Sequence, residues 1–399
     1  NINCKNLPSL RRNIVYQFLY ELLIVFIPLF TIPYVSRVLG AENIGLFSYT
    51  YAVANYFVLF ANLGIKNYGS RTIAMVRNNK EELNRNFSEI LSIHIIFLII
   101  VIFVYLVLLF FFVEDNLVIF LIQSIYVFAA VFDINWFFFG IEKFKLTVGR
   151  NTLVKILSVF LVLVFVKTQT DLWIYALILA LSVFVGQSVV WFALKQYVSW
   201  RRPSWANMKQ HIRPLFVLFL PILALSLYKY MDKIMLGSIS SNVQVGFYEN
   251  AEKIINVPMS LIMAFGVVLM PRIANMVTSK DKGEVFKLID MSMEAVMLLA
   301  IAISFGLAGI SFVLAPIFFG YEFEECGILI MGLAVTVPFM AFANVIRTQY
   351  LIPYKEDKIF VVSLFLGAAV NLIVNIILIP YMAARGAVIG TIFAEIIVC

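Results

Sequence analysis

The chain's 399 residues are 62% hydrophobic and 13% charged, with 38 Phe among them, a balance that excludes an ordinary soluble domain and defines a polytopic membrane protein. The net charge of +7 does not point to nucleic acid, because the basic residues gather in alternate short loops and not on one face. Cys4, Cys326 and Cys399 lie too far apart for a disulfide scaffold or a metal cluster, and His94 and His211 offer no metal-ligand spacing.

Taken in order, twelve stretches reach the roughly 20 mostly apolar residues that a span requires. The first six are 14–36, 46–65, 88–113, 117–139, 147–166 and 172–194; the second six are 212–236, 245–270, 291–313, 327–351, 359–379 and 386–399. The expected organisation is a tail (1–13), an N-lobe (14–194), a basic linker (195–211) and a C-lobe (212–399). The tail leads straight into a full-length span and is read as carrying no cleavable signal peptide. The chain begins without Met and ends inside an apolar run, so the twelfth helix is expected to be cut short.

Charge sorts the loops. Lys5, Arg11 and Arg12 mark the tail, and Lys66, Arg71, Arg77, Lys80 and Arg85 the loop after the second span. Basic residues recur in every second loop thereafter, whereas the intervening loops carry Glu114, Asp115, Glu322, Glu324 and Glu325. This alternation puts the N-terminus in the cytoplasm. Trp136, Trp173, Trp191 and Trp200 fall near span ends, as an aromatic belt requires.

An internal repeat sets the expected architecture. A shift of 201 positions lays Gly45 on Gly246, Asn55 on Asn256, Arg71 on Arg272 and Met75 on Met276. Upstream, a shift of 197 lays Leu39 and Gly40 on Leu236 and Gly237. Each copy holds six spans, so both run in the same direction. Two six-helix lobes related by a pseudo-two-fold axis along the membrane normal follow, with a cavity between them.

The stretch from 227 to 258 interrupts this apolar pattern. Lys229, Asp232 and Lys233 are spaced i, i+3, i+4, and Glu249, Glu252 and Lys253 repeat that spacing after a turn, so each trio shares a helical face. A charge facing lipid at the bilayer centre costs roughly 2.5 to 3.5 kcal/mol on insertion scales. Two arrangements meet that constraint: an anion site in which lysines hold a phosphate or diphosphate, or an ion-pair cluster joining two helices. Arg37, at the end of the first span, and Arg347, late in the tenth, stand where a cavity could reach them. Glu21, Asp133, Glu294 and Glu395 are isolated acids within spans, candidate proton carriers or hydrogen-bonded structural acids. Lys155 reads as a snorkelling side chain, and Arg71 and Arg272 as ties at the cytoplasmic ends of matching spans. The linker has no acid and is expected to rest on anionic membrane lipids. With no Gly-rich phosphate loop and no long outer loop, nucleotide hydrolysis and an exposed active site are set aside.

The segments PYVSRVLGAENIGLFSY and NLGIKNYGSRTIAMVR, then DINWFFFGIEKF, YKYMDKIMLG and VGFYENAEKI, resemble bacterial polysaccharide flippases of the Wzx type, in the multidrug/oligosaccharidyl-lipid/polysaccharide exporter superfamily. The likeness runs from about residue 14 to the end. It implies a carrier, not an enzyme, that moves an undecaprenyl-diphosphate-linked oligosaccharide across the plasma membrane by alternating access. It also implies coupling to a proton or sodium gradient, no cofactor, and work alongside other polysaccharide assembly proteins. Carried over to the cavity are Lys229, Asp232, Lys233 and Lys253, with Arg37; Glu21, Asp133, Glu249, Glu252, Glu294 and Arg347 are candidates for ion coupling or cavity lining. A drug or cation antiporter of the same superfamily is the alternative, and would need an apolar cavity with net acid. A membrane glycosyltransferase or polymerase is a third reading.

Overall fold

A computed structural model of the chain describes residues 10–278 and 282–399, with side chains from residue 27 onward apart from a few scattered positions. Cys4, Lys5, Lys280 and the side chains of Arg11, Arg12 and Glu21 lie outside the described residues. Among those described there is no strand.

The helices are α1 (Leu10–Asn62), α2 (Ile65–Val76), α3 (Lys80–Phe112), α4 (Leu117–Ala129), α5 (Asn135–Gly140), α6 (Phe144–Phe165) and α7 (Leu172–Leu194). After the linker come α8 (Trp205–Ile239), α9 (Asn242–Thr278), α10 (Lys282–Phe319), α11 (Cys326–Ala334), α12 (Thr336–Val345), α13 (Ile352–Tyr354), α14 (Asp357–Met382) and α15 (Ala384–Val398). A π-helical turn, Ile346–Leu351, joins α12 to α13. The twelve apolar stretches fall mainly on helix; the fourth is interrupted at Asp133 and Ile134, between α4 and α5. Eight helical stretches among the described residues are long and apolar enough to cross a membrane. The stretches outside those eight lie on α6, α9 and α15, of which α9 carries Glu249, Glu252 and Lys253 and α15 is only 15 residues long.

Local chemistry sets the boundaries. Asn79 caps α3, its Oδ1 accepting from the amides of Glu81 at 3.1 Å and Glu82 at 3.3 Å, and those two acids favour the positive helix end. Thr168 and Asp171 form a reciprocal capping box ahead of α7. In α1 the outer loop expected after residue 36 shrinks to a break at Gly40, whose φ of 77° suits a residue without a Cβ.

The chain forms two compact units. One holds residues up to Thr31 and Val53–Ile222; the other holds Ile32–Ala52 and Leu223–Cys399. Both α1 and α8 thus contribute to each.

In the first unit, Phe87, Trp136, Phe137 and Phe138 lie in one buried core with Ile65, Ile73 and Leu215. Phe87 stacks on Trp136 with ring centroids 5.5 Å apart. The linker belongs to this unit: Val198 and Met208 are buried in its core, the Ser199 amide donates to Asn84 Oδ1 at 3.0 Å, and the Arg201 amide donates to Ser88 Oγ at 2.9 Å. Arg201 also pairs with Glu81 at 2.9 Å, while Trp200 and Trp205 stay exposed.

In the second unit, α1 and α9 cross through two glycines that the internal repeat matches to each other. A Cβ on Gly45 would meet the Asn242 carbonyl oxygen at 1.6 Å, and one on Gly246 would meet the Ala41 oxygen at 2.1 Å. Small residues allow such backbone approach between membrane helices, and backbone atoms cannot yield as a side chain would. Gly45→Val is therefore expected to destabilise the protein by about 3 kcal/mol, seen as a lower unfolding midpoint in detergent. Gly306→Ala, where a Cβ meets nothing within 4 Å, should unfold near the wild-type midpoint; equal behaviour of the two variants would contradict the contact.

Candidate functional site

The six charges of the 227–258 stretch lie on α8 and α9, which run into each other through Ser240 and Ser241 and bring their charged faces together. Lys233 Nζ stands 2.6 Å from Glu249 Oε2 and 2.7 Å from Glu252 Oε2. Glu249 turns its other oxygen to Lys253 Nζ at 3.2 Å. The groups form one alternating run, Lys253, Glu249, Lys233, Glu252, neutral in sum. Lys233 is buried, whereas the Lys253 side chain keeps 31% of its surface exposed. Both lysines of the run are thus engaged by carboxylates.

Asp232 projects from an adjoining face of α8 into a separate polar cage. Tyr248 donates to its Oδ2 at 2.6 Å, Asn375 Nδ2 to its Oδ1 at 2.6 Å, and Thr391 Oγ1 stands 3.0 Å from Oδ2. Asn371 Oδ1 accepts from Asn375 at 3.1 Å, and Gly390 leaves room for the Asn375 amide, since a Cβ there would lie 2.2 Å from its oxygen. The cage thus draws on α8, α9, α14 and α15. Lys229 is exposed, with its ammonium 5.4 Å from the centre of the Tyr230 ring, and no carboxylate among the described residues lies within 4 Å of it.

The other candidates disperse. Arg37 is exposed and donates to the Ile317 carbonyl at 2.5 Å, in the last turn of α10, where a cation complements the helix end. Glu322 accepts from the Ala41 amide at 2.9 Å, so two links bind the turn at Gly40 to that end of α10. Asp133 accepts from the amide of Asn135 at 3.1 Å and from its side chain at 2.6 Å, a local turn just ahead of α5. Arg347 lies over the Phe360 ring at 4.4 Å on the π-helical turn. Glu294 is exposed on α10, Glu395 is buried on α15, Lys155 is half-buried on α6, Arg71 is exposed midway along α2, and Arg272 is exposed near the end of α9. No group of His, Cys, Asp and Glu among the described residues has the geometry to hold a metal.

A second polar group lies in the first unit. Glu89 and His211 are both buried, with His211 Nε2 3.0 Å from Glu89 Oε2. Asn207 donates to Glu89 Oε1 at 3.1 Å, and Tyr68 OH lies 2.6 Å from His211 Nδ1. The sequence reading singled out neither this group nor the Tyr248, Asn371, Asn375 and Thr391 cage. The i, i+4 asparagines within an otherwise apolar α14 were the available signal.

An all-helical, multi-pass membrane protein with a charged pair of helices is the class these features define. Residues 10–277 match the family described as polysaccharide biosynthesis protein, well over half of the chain, and the chain belongs to that family. It is 26% identical over 397 residues to the putative O-antigen transporter of Escherichia coli (strain K12), covering 98% of this chain and 95% of that one. It is 24% identical over 404 residues to the putative O-antigen transporter of Shigella dysenteriae, covering 98% of both. Among solved structures, lipid II flippase MurJ in its inward closed conformation shares the fold, with a TM-score of 0.74 at 14% identity over 96% of this chain and 85% of that one. The resemblance to Wzx-type flippases and their superfamily holds.

Removing one member of a buried ion-pair group strands its partners, at about 3 to 5 kcal/mol. Lys233→Met should lower stability by that order, Lys253→Met by clearly less, and the triple change Lys233→Met, Glu249→Gln, Glu252→Gln should recover most of the loss. Thermal unfolding of the four proteins in one detergent checks this; a triple variant as unstable as Lys233→Met would contradict the pairing.

Proposed function

We propose that the chain is a flippase that carries undecaprenyl-diphosphate-linked oligosaccharide repeat units from the cytoplasmic to the outer leaflet of the bacterial plasma membrane, for assembly of a surface polysaccharide. It acts as a transporter and not as an enzyme. Support comes from the family, from likeness along nearly the whole chain to two putative O-antigen transporters, and from the alternation of basic loops that puts the N-terminus in the cytoplasm. Alternating access between two six-helix lobes is the route.

The observation that carries the mechanism is the run Lys253, Glu249, Lys233, Glu252, set in apolar helices. A diphosphate is the kind of ligand such lysines receive as point charges. Without it, Glu249 and Glu252 neutralise Lys233. When a proton neutralises Glu252, one of the two carboxylates releases the ammonium, and the diphosphate takes its place. Lys229 and Lys253, more exposed, make the first contacts. Proton uptake and substrate capture are thereby one exchange of partners on a single ammonium, which makes the proton gradient the coupling source.

Leaflet exchange of a lipid-diphosphate sugar in proteoliposomes tests this. Exchange should accelerate under a proton gradient and not under a sodium gradient. Glu252→Gln should transport without responding to the proton gradient, and Lys229→Gln/Lys253→Gln should lose at least about tenfold in rate while losing clearly less stability than Lys233→Met. Exchange absent in the wild type, or unchanged in both variants, would overturn the reading.

A further inference from the structure

The first unit contains a second constellation that translocation through the α8 and α9 charges does not use. Between α2, the start of α3 and the start of α8 lies a cavity of about 670 Å³. Arg71 and Arg85 stand at its edge, with Asn86, Gln210 and His211 also lining it. His211 is held from behind by Glu89 and to one side by Tyr68, so this wall is fixed in place. Both arginines are exposed, and among the described residues neither has a carboxylate within 4 Å. Glu82 is the one acid lining the cavity; Glu89 beneath it is already satisfied by His211 and Asn207. Two guanidinium groups against one carboxylate leave the lining one positive charge in excess.

Met75, Val217 and Leu218 add apolar side chains to the lining. A second cavity, of about 370 Å³, is lined by Tyr56, Phe57, Phe60, Phe97, Val104 and Phe216, with no charged residue. On α8 the linings of the two cavities are neighbours in sequence, Val217 and Leu218 in one and Phe216 in the other. On α3 the basic cavity touches residues 82–86 and the apolar one residues 97–104, about 15 residues further on and so about 22 Å deeper into the bilayer.

We infer that these two cavities form one site for an anionic glycerophospholipid of the leaflet facing Arg71 and Arg85, its phosphodiester between the two guanidinium groups and an acyl chain in the aromatic slot. The single negative charge of a phosphatidylglycerol head matches the single excess positive charge of the lining, and guanidinium groups match phosphate oxygens in pairs. Basic pockets between membrane helices take anionic lipid heads for the same reason. The lipid would hold α2, α3 and the start of α8 together where the linker enters the unit. This rests on the membrane-spanning fold and not on the substrate proposed above.

The delipidated full-length protein, titrated with phosphatidylglycerol and read by native mass spectrometry, tests the site. One molecule should be retained by the wild type. Arg71→Gln/Arg85→Gln should weaken retention about thirtyfold, on about 1 kcal/mol per cation near the surface. Val104→Trp, which plugs the slot, should weaken it about tenfold. All these positions are exposed, so both variants should unfold at the wild-type temperature when no lipid is added. Phosphatidylcholine should bind the wild type no better than the arginine variant. The inference is overturned if phosphatidylcholine binds equally well, if either variant retains lipid like the wild type, or if inorganic phosphate competes as well as the lipid does. A polyprenyl phosphate displacing phosphatidylglycerol at lower concentration would also overturn it, by making the site one for the carrier lipid instead.

Discussion

A charge placed inside an apolar helix must be neutralised where it stands, and the second unit is arranged around that requirement. Lys233, buried on α8, finds two carboxylates on α9 at 2.6 and 2.7 Å, and Asp232 beside it finds donors from three further segments of chain. Because i, i+3 and i+4 positions share a face, satisfying these charges fixes the rotation of α8 against α9. The Asp232 cage then draws in α14 and α15. Polar bonding thus supplies in this unit what the hydrophobic effect cannot supply between helices already surrounded by hydrocarbon.

Close packing supplies the rest. The crossing of α1 and α9 at Gly45 and Gly246 brings backbone to backbone, and Arg37 and Glu322 tie the adjoining turn to the end of α10. In the first unit, aromatic stacking around Trp136 and the Glu89–His211 pair do comparable work. One segment, Ile32–Ala52, belongs to the other unit from its neighbours on both sides in sequence, and the boundary between the units falls within α8, after Ile222.

The helices were legible because apolar length is a strong signal in lipid, and the predicted spans fall mainly on helix. Charge spacing likewise exposed the α8 and α9 pair, and both arrangements considered for it required the charges to leave the lipid. What remained hidden depends on long-range contact. Nothing near Arg37 announces a carbonyl 280 residues away, and nothing near Glu89 announces His211. Asp133, which the sequence leaves as a proton carrier or a hydrogen-bonded structural acid, accepts from Asn135 two residues on, a turn pattern that Asp favours. The asparagines of α14 were passed over because they carry no charge, although an amide in hydrocarbon needs a partner as surely as an ion does.

The account turns on a change of partner at Lys233, in which a lipid diphosphate replaces one carboxylate as that carboxylate takes up a proton. Infrared difference spectra of the reconstituted protein with and without a lipid-diphosphate sugar read this directly, because a protonated carboxyl absorbs apart from a carboxylate. The account predicts a new protonated-carboxyl band on adding the ligand, absent from Glu252→Gln. A bound ligand with no carboxyl band, or a band that persists in that variant, would contradict it.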